Sequence, residues 1–182
     1  CTPNVFPFFF FFLLPMSASV PLWTSDYVKA WTCNFIIFFA FMLMTPLLPL
    51  YLKDNFCADK DAIGLVLSGY TVTALLFRSV GGWLVDSLPR HKVLVVSWLF
   101  FSLFFAGYFL TTTIVLFAVV RTLHGIPFAT VTVSNSTAAI DVLPSERRAE
   151  GIGYFGLSNN LATAIAPTVG LAIYEYTRSF DL

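Results

Sequence analysis

Five long apolar stretches dominate this sequence and set the narrowest limits on its fold. Each holds about 20 or more residues, and at about 1.5 Å per helical residue each can cross a hydrocarbon core of about 30 Å. Strands of a membrane barrel would instead be alternating segments of about ten residues. The sequence therefore predicts an all-α integral membrane protein whose spans are approximately 31–52, 63–85, 93–112, 114–139 and 151–173.

The composition supports a membrane environment. Of the 182 residues, 58% are hydrophobic and 11% are charged, whereas soluble domains carry about 45–50% apolar and about 25% charged residues. The lipid bilayer is thus the expected partner. The formal net charge is zero, so nothing favours a nucleic acid. The cysteines and histidines lie too far apart for a zinc site or a disulfide framework, and no metal is predicted.

The first fifteen residues have a separate character. They include five consecutive phenylalanines and precede Met16. Their apolar run is too short to span a membrane and lacks the basic region of a signal peptide. We interpret residues 1–15 as an upstream-translated leader and residues 16–182 as the membrane domain. The alternative is a genuine extension that lies in the membrane interface.

Lysine and arginine predict the orientation, because they accumulate in cytoplasmic loops. With the N-terminus inside, the inner loops hold more of them than the outer loops. We therefore expect a multi-pass protein of the plasma or inner membrane with a cytoplasmic N-terminus. The inner residues are Lys29, Arg90, Lys92, Arg147 and Arg148, and the outer ones are Lys53, Lys60 and Arg178.

The most specific segment connects the second and third stretches. A glycine is followed four residues later by an acid, then by a tight turn and basic residues, at Gly82, Asp86, Arg90 and Lys92. Glycine lets helices approach closely, and an acid at the membrane edge can cap a helix or pair with a cation. The alternative interpretation is a plain positively charged loop.

Arg121 lies inside the fourth stretch, where a charge costs about 2.5–3.5 kcal/mol on insertion scales. At helical spacing it shares a face with mostly small or polar residues, which suits a cavity wall. The alternative is an arginine that snorkels to the outer interface. The other residues of this face are Gly125, Phe128, Thr132, Asn135 and Ser136.

Further polar residues lie inside the predicted spans. Arg78, Asn34, Asn159 and Asn160 could line a cavity or bridge helices, and the sequence does not rank them.

The fifth stretch carries small residues at Gly153, Ala162, Ala166 and Gly170, with Pro167 among them. Three of these lie four residues apart, a spacing that favours close helix packing. The loop before this stretch contains Asp141, Arg147 and Arg148, and it could be an ordinary solvated loop.

These four segments together resemble the major facilitator superfamily, over about residues 26 to 176. Gly82, Asp86, Arg90 and Lys92 resemble its signature loop. Pro89 stands where the family usually has glycine, and Ser87 where it often has a basic residue. The resemblance implies that this loop is a cytoplasmic gate latch that locks the outward-facing state through charge pairs.

The other segments resemble the same family. Arg121 and Gly125 are similar to an arginine and glycine of its fourth helix, which implies a role in proton coupling or in organising the substrate site. The fifth stretch resembles a glycine-rich pattern that marks antiporters, with alanine replacing glycine at Ala162 and Ala166. The loop with Asp141, Arg147 and Arg148 resembles the loop at the same place in the family.

The resemblance implies five of the six transmembrane helices in the N-terminal half of a twelve-helix transporter, similar to drug- or sugar-efflux proteins. The C-terminal half of the same transporter is then the missing partner. The expected function is alternating-access transport of a small-molecule substrate, by proton-coupled efflux in the intact protein. A proton gradient would be the energy source, without any cofactor.

Three alternatives carry less support. A facilitator or importer of a small metabolite such as a sugar would share the same segments. An integral membrane enzyme would need a nucleophile or metal cluster at membrane depth, and no catalytic residue is predicted. A non-transporting membrane protein would have no need of a gate loop.

Overall fold

The structure is a computed structural model that describes residues 20–177. The predicted leader, residues 1–15, lies outside the described residues. The described part is built from six α-helices, with a short 3-10 turn at Ser145–Arg147 before the last one. The helices are α1 (Ser25–Met44), α2 (Leu47–Phe56), α3 (Lys60–Ser87), α4 (Arg90–Tyr108), α5 (Ile114–Asp141) and α6 (Arg148–Thr177).

Side-chain caps explain where several helices begin. The first backbone N–H groups of a helix lack an intrahelical acceptor, and a threonine or aspartate side chain can supply one. Thr24 accepts from the Tyr27 N–H before α1. Asp59 caps α3 and Thr113 caps α5 in the same way.

The first predicted span is broken into α1 and α2 at Thr45 and Pro46. Proline has no N–H to donate to the preceding turn, so a continuous helix is interrupted there. Together the two helices form one apolar unit of 32 residues, Ser25–Phe56.

Four units are long and apolar enough to cross a membrane, namely Ser25–Phe56, α3, α4 and α5. The fifth predicted stretch corresponds to α6, whose 30 residues extend over about 45 Å. It lies outside those four, and its polar Asn159 and Asn160 reduce its hydropathy. The helices differ from the predicted spans at their ends, most clearly where α4 ends at Tyr108 and residues 109–113 connect it to α5.

Helix α5 lies at the centre of the bundle. It packs against α1, α3 and α4, while α6 packs mainly against α1. Two glycines allow the closest approaches. A Cβ at Gly125 would lie 2.7 Å from the Tyr70 carbonyl oxygen of α3, and one at Gly170 would lie 2.5 Å from the Leu43 carbonyl oxygen of α1.

The outer surface of the bundle carries large apolar side chains, while several polar side chains are buried at its centre. Leu65, Leu75 and Leu110 are 71–76% exposed, whereas Arg121, His124 and Asn135 are at most 3% exposed. Lipid tails accommodate exposed apolar side chains, and polar groups inside a membrane face protein. This distribution confirms the predicted all-α membrane fold.

Candidate functional site

The predicted gate loop contacts the end of α5 through one ion pair. Arg90, the first residue of α4, donates from Nη1 to both carboxylate oxygens of Asp141. The pair joins two segments that are 51 residues apart in the sequence.

The remaining residues of the gate loop have other surroundings. Asp86 and Lys92 are exposed. A Cβ at Gly82 would meet nothing within 4 Å, while one at Gly81 would lie 3.2 Å from the Thr130 Cα of α5. The close helix approach expected at Gly82 is therefore made by its neighbour Gly81, which sequence reasoning missed.

Arg147 anchors the segment that precedes α1. Its Nε and Nη2 donate to the two carboxylate oxygens of Glu150, each at 2.8 Å, and its Nη1 donates to the Val20 carbonyl at 3.0 Å. The Tyr27 hydroxyl donates to the Gly151 carbonyl at 2.6 Å nearby. The hydrogen bond from Arg147 lowers the pKa of Glu150. Arg148, predicted with Arg147, is exposed.

Arg121 lies inside the bundle and does not snorkel to the surface, since it is 3% exposed. Its Nη1 donates to the Tyr108 hydroxyl at 3.2 Å. Its Cζ lies 4.2 Å from the ring centroid of Tyr70 and 5.3 Å from that of Phe41. Within residues 20–177, no carboxylate forms an ion pair with it. The two ring faces are within the distance at which aromatic rings attract a cation.

His124 is a buried neighbour of Arg121 that sequence reasoning treated as isolated. Its Nδ1 lies 2.9 Å from the Tyr108 hydroxyl, which thus joins Arg121 to His124. The imidazole stacks on Phe104 with centroids 5.3 Å apart and meets the edge of Phe105 at 5.0 Å. In the sequence, the one feature that could have indicated this contact is that His124 follows Arg121 by about one helical turn.

Asn34 and Asn135 belong to one buried polar network that joins α1, α5 and α6. Asn135 Nδ2 donates to the Ala30 carbonyl at 3.1 Å and lies 3.5 Å from Asn34 Oδ1. Asn34 Nδ2 donates to the Ser158 hydroxyl at 2.8 Å. Ser158 was not among the predicted residues, although it begins the four-residue spacing that continues through Ala162.

The small residues of α6 form a stripe against α1. Ala162 and Ala166 have no exposed surface, and Gly170 is buried. Gly153 does not belong to this stripe, because it is exposed and a Cβ there would meet nothing within 4 Å. Pro167 is half-buried inside the helix.

Three other predicted polar residues lie away from these clusters. Arg78 and Asn160 are exposed, and Asn159 accepts a hydrogen bond from Thr163 at 3.3 Å on the same helix.

The face of α5 predicted as a cavity wall is instead packed against other helices. Gly125 meets α3, and the Phe128 ring lies 4.8 Å from the Phe41 ring of α1. A cavity of about 550 Å³ lies elsewhere, between α1, α2, α4, α5 and α6, and Tyr108 contributes to its mostly apolar lining. Thr132 is buried and Ser136 half-buried.

Residues 30–179 match the sequence model of the Major Facilitator Superfamily. The chain belongs to this family. Its four long apolar helical units agree with the multi-pass membrane fold of this family.

Two relatives show which members of the superfamily the chain resembles. The Quinolone resistance protein NorA of Staphylococcus aureus (strain MRSA252) is 25% identical over 136 residues, which cover 75% of this chain and 35% of the relative. The Staphylopine export protein of S. aureus (strain Mu50 / ATCC 700699) is 26% identical over 151 residues, which cover 82% of this chain and 37% of the relative. The chain thus spans about a third of the length of the curated relatives it matches.

Proposed function

We propose that the complete protein exports a small molecule by alternating access, driven by a proton gradient. Both relatives quoted above carry names of resistance or export, which supports the outward direction. The substrate is then a small organic molecule, for which a fluorescent quinolone such as norfloxacin is a suitable probe. Residues 16–182 would supply part of the N-terminal half, and the C-terminal half would complete the substrate site.

The ion pair between Arg90 and Asp141 is the observation that carries this proposal. It links the α3–α4 loop to the end of α5 while both side chains stay nearly half exposed, at 48% and 42%. An exposed pair adds little to stability, but it can bias two conformations of similar free energy. A pair that breaks and forms again during each cycle would act as a gate latch.

The latch is tested by removing its charges in the complete transporter. We expect Asp141→Asn and Arg90→Gln each to slow norfloxacin efflux from preloaded cells a few-fold, at unchanged abundance in the membrane. The double exchange Arg90→Asp with Asp141→Arg should restore part of the rate, since it restores the attraction. Lys29→Gln is the matched control, because Lys29 forms only an exposed ion pair with Asp26 one helical turn away.

Unchanged efflux in both single variants would refute the latch. The energy source is tested in the same cells with a protonophore, which should abolish efflux if the proton gradient drives it. If norfloxacin is retained with or without the protonophore, and labelled sugar enters faster than in control cells, the importer alternative replaces the export proposal.

The proposed orientation places the N-terminus in the cytoplasm and the α2–α3 connection outside. Cys57 lies in that connection and is exposed, whereas Cys33 is half-buried in α1. In the complete transporter with Cys57 as its only cysteine, a membrane-impermeant maleimide should label intact cells. Replacing Cys57 with serine should remove the signal. Labelling that requires permeabilised cells would reverse the orientation.

A further inference from the structure

Arg78 of α3 is a charge inside a membrane span that no described residue neutralises. It lies nine residues before the end of α3 at Ser87, which places its Cα about 13 Å from that end. Its side chain is exposed, and within residues 20–177 it forms no hydrogen bond or ion pair. A charged side chain at membrane depth normally faces protein or water rather than lipid. A partner for Arg78 is therefore expected from outside residues 20–177.

The direction of α3 disfavours snorkelling of Arg78 to the lipid headgroups. The nearer end of the helix is its C-terminal end at Ser87. The Cα–Cβ bonds of an α-helix tilt toward its N-terminus, so the side chain of Arg78 starts out toward the middle of the membrane. To reach headgroup phosphates it would have to turn back against that tilt.

The exposed surface of α3 divides into two faces of different chemistry. One is an apolar face of large side chains that are 55–75% exposed, namely Leu65, Val72, Leu76 and Trp83. The other, which we call the seam face, follows an alternating spacing of three and four residues and contains Ser68, Thr71, Leu75, Arg78 and Gly82. Such a spacing is typical of a helix that packs lengthwise against another helix.

The seam face suits close contact with a helix better than contact with lipid. The hydroxyls of Ser68 and Thr71 donate to carbonyl oxygens of their own helix, at 3.0 and 3.4 Å, so they need no water. A Cβ at Gly82 would meet nothing within 4 Å, which leaves room for a neighbouring backbone. Small residues and hydroxyls of this kind are typical of helix contacts inside membranes. The guanidinium of Arg78 still lacks an acceptor.

We propose that the seam face binds a transmembrane helix of the C-terminal half of the transporter, and that an aspartate or glutamate of that helix pairs with Arg78. The matched segments cover only 35% and 37% of two relatives, so further helices are expected in the complete protein. A carboxylate fits because its two oxygens match the planar donor fork of arginine. The inference goes beyond the proposed function, since it requires no particular substrate, direction or energy source.

Leu75 and Leu76 provide a matched pair for the first test. These adjacent leucines are 71% and 65% exposed, but Leu75 belongs to the seam face and Leu76 to the apolar face. The complete transporter, without its native cysteines and at one copy per nanodisc, receives a nitroxide spin label at Leu75→Cys or Leu76→Cys. Paramagnetic resonance then measures access of each label to oxygen, which is concentrated in lipid, and to a water-soluble nickel chelate.

We expect the label at Leu76→Cys to be accessible to oxygen, and the label at Leu75→Cys to be several-fold less accessible to both reagents. Equal oxygen access at the two positions would mean that lipid covers the seam face. High nickel access at Leu75→Cys would mean that water covers it. Either of these two results overturns the docking of a helix.

The second test removes the charge of Arg78. If a carboxylate pairs with it, Arg78→Leu leaves that carboxylate unpaired inside the membrane. The unfolding temperature of the complete transporter in nanodiscs should then fall by about 3–10 °C. If Arg78 faces lipid, the same change removes an unpaired charge and the temperature should rise. Lys53→Leu is the control, because Lys53 is an exposed cation near the end of α2, and it should change the temperature little.

The partner is then found by neutralising, one at a time, the membrane-embedded aspartates and glutamates of the C-terminal half in the Arg78→Leu protein. Neutralising the partner should restore most of the lost temperature, whereas the same change in the wild type should lower it. If Arg78→Leu does not fold, Arg78→Lys keeps the charge without the planar fork and should show a smaller decrease.

A higher unfolding temperature in Arg78→Leu, or a decrease that no second neutralisation restores, overturns the ion pair. Because neither test measures transport, a protein that gives both expected results but moves no solute would refute only the proposed function.

Discussion

The contact between α3 and α5 depends on the missing side chain of Gly125. A Cβ there would lie 2.7 Å from the Tyr70 carbonyl oxygen and 2.9 Å from the Ala74 nitrogen, both backbone atoms. Ordinary contacts of a carbon atom are nearer about 3.5 Å, so Gly125→Ala would force the helices apart by about 0.8 Å. Such overpacking costs about 1–3 kcal/mol, and alanine's better helix propensity returns up to about 1 kcal/mol.

The net expectation is a loss of about 1–2 kcal/mol of unfolding free energy. For a chain of this size that corresponds to a decrease of about 2–8 °C in the unfolding temperature, measured by circular dichroism in detergent. Gly64→Ala is the matched control, because Gly64 is in α3 and a Cβ there would meet nothing within 4 Å. If Gly125→Ala unfolds at or above the temperature of Gly64→Ala, the backbone contact is not as close as described.

Two further predictions use the polar contacts. Ser158→Ala should cost about 1–3 kcal/mol of unfolding free energy, because Asn34 Nδ2 loses its buried acceptor. The same assay should show little change for the exposed Thr163→Ala, and equal effects would contradict the network. Glu150 should titrate below its ordinary value of 4.5, because Arg147 lowers its pKa. The stabilising effect of ionised Glu150 is complete above the ordinary pKa and is lost as the pH falls through the lowered pKa. In Arg147→Gln, carboxyl NMR should show that the pKa of Glu150 returns toward 4.5.

The helices and the family could be predicted from the sequence because their signals are local. Apolar runs longer than a membrane is thick indicate spans without any knowledge of tertiary contacts. The sequence placed Arg90 in the predicted gate loop and Asp141 in the loop before the fifth stretch. Their ion pair was not predicted, since it requires knowing that α4 begins beside the end of α5.

The surroundings of Arg121 could not be predicted for a related reason. Phe41, Tyr70 and Tyr108 are on three other helices, and nothing in their local sequence marks them as its neighbours. In a soluble protein, the apolar face of a helix shows which side is buried. Here lipid accommodates apolar side chains all round each helix, so that signal does not identify the packed face.

Small and polar residues carry the packing information in this chain instead. Gly81, Gly125 and Gly170 each lie where two helices approach most closely, and Asn34 and Ser158 join helices 124 residues apart in sequence. Without a strong hydrophobic force between helices in lipid, close backbone contact and hydrogen bonds select the partner. The four-residue spacing that predicted Ala162 and Ala166 as packing residues therefore also predicts Ser158, which lies one turn earlier. Arg121 is the exception to this pattern, because its contacts are the Tyr108 hydroxyl and two aromatic rings, and no carboxylate of residues 20–177 pairs with its charge. Charged groups inside membrane spans mark functional positions in many membrane proteins.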